Sequence, residues 1–344
     1  MRTRVCISID TEFSIGGAFT DPARLPVAEP MVWCEVDGRS QGLGFLLDTF
    51  ERHRIPATFF VEAAQRYYFR DADPMGTIAR RIAAHGHEVQ LHTHPCWSVF
   101  RHDDWREQVT REPRQDDFYG RAEEDTVHLL RQGQETFADW GVPLPTVFRS
   151  GNLQHDDTLF AAMARCGIPY SSCVGLAVFD SGDARYRLYS GAHPRHGVLE
   201  MPVLTFEDWR IGGRRHRKTL TIAGTSFAET RLLLERAHEQ RVPLVVILTH
   251  PFEYVQRRDD GMRTARRNAL HQGRLERLCR YLDCNRDRFQ PTGLGEAGSA
   301  LQAAPDERNV LLQGSGWRSV RRLAEQVAYD RYGKWALARR GAPA

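Results

Sequence analysis

The sequence has very little lysine and almost no excess of charge of either sign. Only Lys218 and Lys334 are lysines, so arginine supplies nearly all of the 47 basic residues, which face 44 acidic ones for a formal net charge of +3. Non-specific nucleic-acid binding depends on concentrated positive charge, so we expect no nucleic-acid partner. The segments RIGGRRHRK (210–218) and GWRSVRRLAEQ (316–326) are local basic exceptions, which we interpret as solvated segments.

Four further features are absent. No apolar run approaches the roughly 20 residues that a membrane-spanning helix needs. The seven cysteines form no C-x-x-C pair and are odd in number, which is typical of reduced thiols. No G-x-G-x-x-G follows the first predicted strand, which weakens a dinucleotide-binding interpretation. The chain also starts directly with a core-type strand and without a signal-peptide layout, so we expect a cytoplasmic protein with no integral membrane segment.

Short apolar runs alternate with segments of helical periodicity. The predicted strands are 5–9, 57–61, 88–92, 146–148, 168–173, 198–203 and 243–250, and the predicted helices are 44–52, 77–84, 123–140, 157–166 and 226–239. Such alternation implies parallel strands joined by right-handed crossovers. With about seven strands, it predicts an α/β fold of the (β/α)7, distorted TIM-like barrel type.

Three segments interrupt this alternation. Residues 14–39 are predicted to form a long loop, and residues 100–122 a loop over the top of the barrel. We expect the barrel domain to span 1–298 and a tail to span 299–344, beginning as a loop (299–309) and becoming an amphipathic helix around 317–338. The apolar positions of that helix are Trp317, Val320, Leu323, Ala324, Val327 and Ala328. They predict a helix that packs back on the barrel, with a homo-oligomer contact as the alternative.

Polar residues gather where the predicted strands end. The residues concerned are Asp10, Glu12, His92, His94, Arg149, Asn152 and His250. Each has an ordinary structural explanation, such as a turn, a surface pair or a buried ion pair. The carboxyl ends of parallel barrel strands nevertheless meet on one face, so their joint placement indicates a functional site.

These residue types suit metal-assisted hydrolysis. Two imidazoles and one carboxylate are a typical ligand set for a divalent first-row ion, which would acidify water and polarise a carbonyl. A second carboxylate can then act as a general base and a separate imidazole as a general acid. Asp10 and Glu12 could divide the base and ligand tasks between them.

The motifs resemble those of the polysaccharide deacetylase family, also known as the NodB-homology domain or carbohydrate esterase family 4. The resembling segments, in family order, are SIDTEF, ATFFVE, GHEVQLHTHP, FRSGN and LTHP, and together they cover roughly residues 3–295. The resemblance implies the NodB-homology fold, here with a C-terminal helical extension. It also implies a metal-dependent hydrolase that removes an acetyl group from an N-acetylated, or secondarily an O-acetylated, sugar or glycan precursor.

The resemblance assigns roles by position. It implies that Asp10 is the catalytic base, His250 the general acid and Arg149 the residue that orients the base, with the backbone N–H of Asn152 as an oxyanion donor. It implies that Glu12 and His92 bind one divalent metal ion, Zn, with Co, Ni or Mn as alternatives.

Two positions depart from the family pattern. The usual position of the second metal histidine is occupied by Cys96, so His94 becomes the expected third ligand, with the Cys96 thiolate as the alternative. Asp208 and Trp209 are candidates for the pair that supports Arg149.

The candidates for sugar-stacking faces are Trp97, Tyr119 and Trp209. The alternative functions are hydrolysis of a non-sugar linear or cyclic amide and non-catalytic carbohydrate binding.

Overall fold

The computed structural model describes residues 1–303 and 307–340 of the chain. Its strands are β1 (Thr3–Thr11), β2 (Glu35–Val36), β3 (Arg39–Ser40), β4 (Thr58–Glu62), β5 (Glu88–Thr93), β6 (Val147–Ser150), β7 (Tyr170–Ser171), β8 (His193–Arg195), β9 (Val198–Glu200), β10 (Thr205–Ile211), β11 (Arg214–Thr219), β12 (Leu244–Thr249), β13 (Val255–Arg257), β14 (Ala265–Arg267), β15 (Phe289–Pro291) and β16 (Leu312–Gln313). Its α-helices are α1 (Pro30–Trp33), α2 (Leu43–His53), α3 (Arg66–Phe69), α4 (Met75–Ala84), α5 (Trp105–Arg111), α6 (Glu123–Trp140), α7 (Asp157–Arg165), α8 (Phe227–Glu239), α9 (Ala269–Cys284), α10 (Leu294–Ala303) and α11 (Gly316–Arg340).

Seven parallel strands form the main sheet, in the order β12, β1, β4, β5, β6, β7 and β9. An isolated parallel bridge between Val203 and Val246 connects the chain after β9 to β12, so the two sides of the sheet meet. The antiparallel strand β8 lies beside β9, and β15 pairs with the start of β1. The predicted α/β barrel of distorted (β/α)7 type is confirmed.

The alternation of side chains along β1 shows how the core is divided. Val5, Ile7 and Ile9 belong to the large apolar cluster that includes the helices, whereas Cys6 belongs to a second cluster with Phe60 and other strand residues. The sequence of a strand that is covered on both faces is a nearly continuous apolar run. Asp10 is in phase with Cys6, because successive side chains point to opposite faces, and the strand therefore directs it to the barrel interior.

The predicted helices agree closely with α2, α4, α6, α7 and α8. The predicted loop at 100–122 is partly wrong, because α5 lies within it, and its Trp105 packs against Phe100 with ring centroids 5.0 Å apart. The predicted loop at the start of the tail is also partly wrong, since α10 continues through Ala303. The boundary expected after residue 298 lies inside α10, and residues 304–306 of the predicted loop lie outside the described residues.

Helix α11 packs back on the barrel, as predicted, but it does so through its polar face and not through its apolar stripe. Ser319 and Arg322 are buried against β10 and α8. Trp317, Val320 and Leu323 are among the exposed large apolar side chains. No helix in the described part of the chain is long and apolar enough to cross a bilayer.

Candidate metal and catalytic site

The seven predicted site residues lie at the carboxyl ends of the barrel strands. Asp10 is next to last in β1, His92 is next to last in β5 and Arg149 is the third residue of β6, with His92 and Arg149 directly paired across the two strands. His250 follows β12, which pairs with β1 up to Ile9. The parallel register of the barrel therefore brings these side chains to one rim.

Glu12, His92 and His94 form a compact cluster, which we call the ligand cluster. The Nε2 atoms of His94 and His92 lie 3.0 Å and 3.6 Å from Glu12 Oε2, and one donor atom from each residue lies within 4.8 Å of the others. Zinc–nitrogen and zinc–oxygen bonds of about 2.0–2.2 Å would place tetrahedral ligands roughly 3.4 Å apart. The three donors can therefore hold a divalent ion after small adjustments.

The two imidazole rings are held in the orientation that a metal site needs. His92 Nδ1 lies 2.8 Å from the carbonyl oxygen of Arg149, and His94 Nδ1 lies 3.0 Å from Asp116 Oδ2. An Nδ1–H that donates to an oxygen leaves Nε2 with its lone pair. Both rings therefore present Nε2 to Glu12, and the donor set fits a first-row divalent ion.

The charges of the cluster also suit cation binding. Burial alone would raise the pKa of Glu12, but the imidazoles of His94 and His92 outweigh it and hold this pKa well below its usual value. Burial would lower the pKa of His94, but the carboxylates of Glu12 and Asp116 hold it well above its usual value. A bound ion would replace the proton of His94, because a ligating imidazole must be neutral.

Cys96 belongs to a neighbouring cluster with His94 and Asp116, not to the one that contains Glu12 and His92. Burial, followed by the Asp116 carboxylate, raises the pKa of the Cys96 thiol well above its usual value. The thiolate is the metal-binding form of cysteine, so this environment disfavours Cys96 as a ligand. Between the two candidates for the third ligand, the geometry favours His94.

Arg149 is fully buried and fixes Asp10 from within the barrel. Its NH1 group donates to Asp10 Oδ1 at 2.7 Å and to Ser8 Oγ at 2.9 Å, and its Nε and NH2 groups donate to the carbonyl and hydroxyl oxygens of Ser172. The guanidinium also lies 4.1 Å from the ring centroid of Phe60. A carboxylate held by such a charge-assisted bond has one orientation, and Asp10 Oδ2 remains for other contacts.

His250 stands on the other side of Asp10, with its Nε2 atom 3.9 Å from Asp10 Oδ2. Its Nδ1 atom lies 3.1 Å from Glu253 Oε1. Burial would lower the pKa of His250, but the Glu253 carboxylate and, less strongly, Asp10 raise it to about 9. The imidazole is therefore mainly protonated at neutral pH, as a general acid must be.

The turn after β6 places Asn152 beside His94. Asn152 has a left-handed backbone with φ of 56°, and its side-chain amide donates to Asp116 Oδ2 at 3.1 Å. Gly151 allows the close approach of His94, because a Cβ atom there would lie 2.5 Å from His94 Nδ1. Asn152 is exposed and therefore lies at the rim, next to the Asp116 carboxylate that holds His94.

The predicted support of Arg149 by Asp208 and Trp209 is wrong. Asp208 lies in β10 and accepts hydrogen bonds from Ser319 and Arg322 of α11. The strand β10 is paired with β11 and β16 in a separate small sheet, so neither residue reaches Arg149. Ser8 and Ser172, which the sequence does not single out, support it instead.

Only Tyr119 among the three candidate sugar-stacking residues has a ring exposed near the site. Trp97 is buried, with its ring 5.4 Å from that of Phe100. Trp209 stacks on His216 beside α11, at a ring separation of 5.3 Å. Tyr119 is half exposed, and its backbone N–H donates to Gln154 in the turn after β6.

Sequence reasoning missed three carboxylates that support the predicted residues. Glu62 ends β4 and accepts the backbone N–H of His94 at 2.7 Å, and burial raises its pKa to about 7 although His92 and His94 lower it. Asp116 holds the His94 ring, and Glu253 holds the His250 ring. Glu62 had a signal, since it directly follows the predicted strand 57–61, as other site residues follow or end theirs.

Comparison with solved structures supports the fold. A presumed polysaccharide deacetylase from Mycobacterium smegmatis aligns with a TM-score of 0.51 at 16% identity, covering 90% of this chain and 93% of its own. A family 4 carbohydrate esterase from Streptomyces lividans, solved with acetate, aligns at 0.42 and 12% identity, covering 90% and 98%. The peptidoglycan deacetylase PdaC from Bacillus subtilis aligns at 0.40 and 11%, covering 88% and 93%. Only the first score exceeds 0.5, and at this identity it concerns the fold alone.

Comparison of the sequence with known families matches the same part of the chain that carries three of the motifs. No curated protein matches the chain. The sequence profile described as polysaccharide deacetylase matches residues 31–171, a segment that contains the ATFFVE, GHEVQLHTHP and FRSGN motifs. This match confirms that the chain resembles the polysaccharide deacetylase family.

Proposed function

We propose that this chain is a metal-dependent hydrolase that removes the acetyl group from an N-acetylated sugar or glycan precursor. The observation that carries the proposal is the convergence of two groups on one rim of the barrel. The Glu12–His92–His94 cluster is one, and the Asp10–Arg149 ion pair beside His250 is the other. In this proposal residues 1–298 are the catalytic barrel, and residues 299–344 are a tail attached to it.

Glu12, His92 and His94 would hold one divalent ion, Zn, with Co, Ni or Mn as alternatives. The ion would supply Lewis-acid chemistry, since it would acidify a water molecule and polarise the acetyl carbonyl. Glu12 suits this role because its carboxylate stays ionised between two imidazoles. The hydrogen bonds from Nδ1 of each histidine keep both rings pointed at the same position.

Asp10 and His250 would move the protons of the reaction. Asp10 would take the proton of the attacking water at Oδ2, since Arg149 already engages Oδ1. His250 would donate its Nε2 proton to the sugar nitrogen as the C–N bond breaks, giving acetate and a free amine. The backbone N–H of Asn152 would donate a hydrogen bond to the oxygen of the former carbonyl.

The proposal is tested by measuring acetate release from N-acetylated and O-acetylated sugars and from small linear and cyclic amides, with metal content measured in parallel. We expect Asp10→Asn to keep the ion and to lower kcat by about 10²–10⁴-fold, the usual contribution of a general base. We expect His92→Ala to lose both ion and activity. Asp117→Asn is the matched control, because this exposed carboxylate adjoins Asp116 without contacting His94.

Other outcomes would contradict the proposed reaction or its assignment to these residues. Full turnover by Asp10→Asn would show that the base is wrongly assigned. Turnover of amides in place of sugars would identify a non-sugar amidase on the same barrel. A protein that takes up no ion under any loading condition but binds glycan would be a non-catalytic carbohydrate-binding barrel.

A further inference from the structure

Helix α11 turns its apolar residues away from the barrel. Trp317 is 78% exposed, Val320 58%, Leu323 53% and Val327 50%. These residues recur three or four positions apart and so lie on one side of the helix. We call them the outer stripe. Apolar side chains of this size, grouped on one helix face, commonly mark an interaction surface.

The opposite side of α11 is held to the barrel by polar contacts. Arg322 lies 3.1 Å from both Asp208 and Glu229, and Gln326 accepts a hydrogen bond from Arg274 at 3.2 Å. Near the other end, a Cβ atom on Gly333 would lie 2.1 Å from the side chain of Gln256, which shows how closely the helix approaches β13. These contacts fix which side faces outward, so the exposure of the outer stripe follows from how the helix is docked.

Basic side chains accompany the outer stripe. Arg321, Arg331 and Lys334 are exposed and form no ion pair with any residue that the structure describes. The acidic Glu325 is turned toward Arg274, at 3.6 Å. The outward side of α11 is thus apolar and positively charged.

The fold places the other basic segment of the sequence, residues 210–218, next to this helix. The hairpin of β10 and β11 contains the exposed Arg210, Arg214 and Arg215. A groove of about 390 Å³ between β10 and α11 is lined by Trp209 and Arg210 on one side and by outer-stripe residues on the other. Two basic segments that are about a hundred residues apart in sequence therefore form one continuous surface.

We propose that the outer stripe and the adjoining β10–β11 hairpin bind the surface of a membrane that contains anionic phospholipid. A helix with aromatic and aliphatic side chains on one face, flanked by arginine and lysine, is suited to the boundary between head groups and acyl chains. Trp317 fits this boundary because its ring is apolar and its N–H is polar. Arg321, Arg331, Lys334 and the hairpin arginines would face the phosphates.

The charge pattern favours this partner over two others. A second copy of the chain would bring the same cationic residues face to face, and Glu325 is already engaged by Arg274. Nucleic acid would match the charge but would leave Val320, Leu323 and Val327 without a role, since its affinity comes mainly from phosphate contacts. An anionic bilayer matches both the charge and the apolar side chains. The proposal does not depend on the reaction that the barrel catalyses.

The test is flotation of the full chain with vesicles of phosphatidylcholine alone and with vesicles that contain one quarter phosphatidylglycerol. We expect binding to the anionic vesicles only, and weaker binding at higher salt because exposed charges are screened. The charge variant Arg321→Glu/Arg331→Glu/Lys334→Glu should weaken binding at least tenfold, since each basic residue near an anionic leaflet contributes roughly fivefold in affinity. The stripe variant Val320→Ser/Leu323→Ser/Val327→Ser should also weaken it at least tenfold.

The matched control is Arg2→Glu/Arg52→Glu/Arg111→Glu, which changes the net charge equally at exposed positions outside α11 and the hairpin. It should bind like the unmodified chain, and a tenfold loss in this variant would overturn the proposal by showing attraction through net charge alone. The proposal would also be overturned if the chain failed to bind anionic vesicles at low salt. A dimer that only the stripe variant abolishes would overturn it as well, and so would tighter binding to duplex DNA than to anionic vesicles. All variants change exposed side chains, and unchanged circular dichroism would confirm that they fold.

Discussion

Asp116 is the carboxylate that holds the second imidazole of the ligand cluster. It accepts from His94 Nδ1, and it also contacts Arg114 and Asn152. We expect Asp116→Asn to lower metal affinity about 10–100-fold, the usual effect of losing a partner that orients a ligating histidine. Titration of the chelated protein with Zn²⁺ measures this. Asp117→Asn should bind the ion normally, and an equal loss in both variants would contradict the orienting role.

Glu253 sets the protonation of the proposed general acid. With a pKa near 9, His250 is protonated below that value and loses its proton as the pH rises through it, so kcat/KM should fall above about pH 9. Glu253→Gln removes the charge that raises this pKa, and burial alone lowers it. We therefore expect the alkaline limb of the pH–rate profile to move down by about 1–3 pH units. A limb that stayed near pH 9 would show that His250 does not produce it.

Residues with their own chemistry were predictable from sequence, whereas those that support them were mostly not. A histidine or aspartate at a strand end carries a recognisable signal because its position in the fold follows from the strand. Asp116 adjoins Asp117 in a charged loop, and nothing in the sequence distinguishes the buried carboxylate from the exposed one. The same holds for Ser8 and Ser172, whose contact with Arg149 depends on strand neighbours that are distant in sequence.

At the level of elements, α11 is held by a buried charge network. Arg322 pairs with Asp208 and Glu229, and Glu229 also caps α8 by accepting the Ser226 N–H at 2.9 Å. Arg322→Ala leaves two buried carboxylates without their partner, so we expect a loss of about 3–5 kcal/mol in the free energy of unfolding. Urea denaturation measures the loss, and hydrogen exchange should show α11 opening first.

The neighbouring Arg321 offers the control for this experiment. Its side chain is exposed, so Arg321→Ala should change the free energy of unfolding by no more than about 0.5 kcal/mol. Similar values for the two variants would mean that the buried network does not secure the helix.

Helix positions were predicted well, but the side that α11 buries was not. The limits of α6 follow from local signals, with acidic residues in its first turn and Gly141 in the left-handed conformation after its end. Periodicity in α11 shows that apolar residues share a face. It does not show whether the barrel offers apolar or polar groups opposite, and here Asp208 and Glu229 select the polar side.

For the whole molecule, the ligand cluster predicts that metal stabilises the fold. An ion that binds only the native state, present at 100 times its Kd, adds about 2.7 kcal/mol, which corresponds to a rise in Tm of roughly 4 °C for a chain of this size. Calorimetry of the chelated protein with and without Zn²⁺ measures this shift. His92→Ala should show none, and an equal rise in that variant would place the stabilising ion elsewhere.

The barrel as a whole was predictable because its longer strands, such as β1, β4 and β12, are buried on both faces and carry nearly continuous apolar runs. The closure between the chain after β9 and β12 was not, since it depends on two isolated bridges, Val203 to Val246 and Thr221 to Leu248. The small sheet of β10, β11 and β16 was also missed. The strand β11 is rich in arginine and lacks the apolar pattern on which strand prediction depends, and β16 has only two residues.

The position of His94 between two carboxylates has a consequence for the charge of the site when no ion is bound. Glu12 and Asp116 approach opposite nitrogens of the ring, each at 3.0 Å, and the protonated imidazole balances charge between them. In the proposed metal site, this proton would occupy the place that the cation would take. Zinc fingers do not fold without their metal, whereas here the proposed ion would displace a proton from His94 and release it into solution.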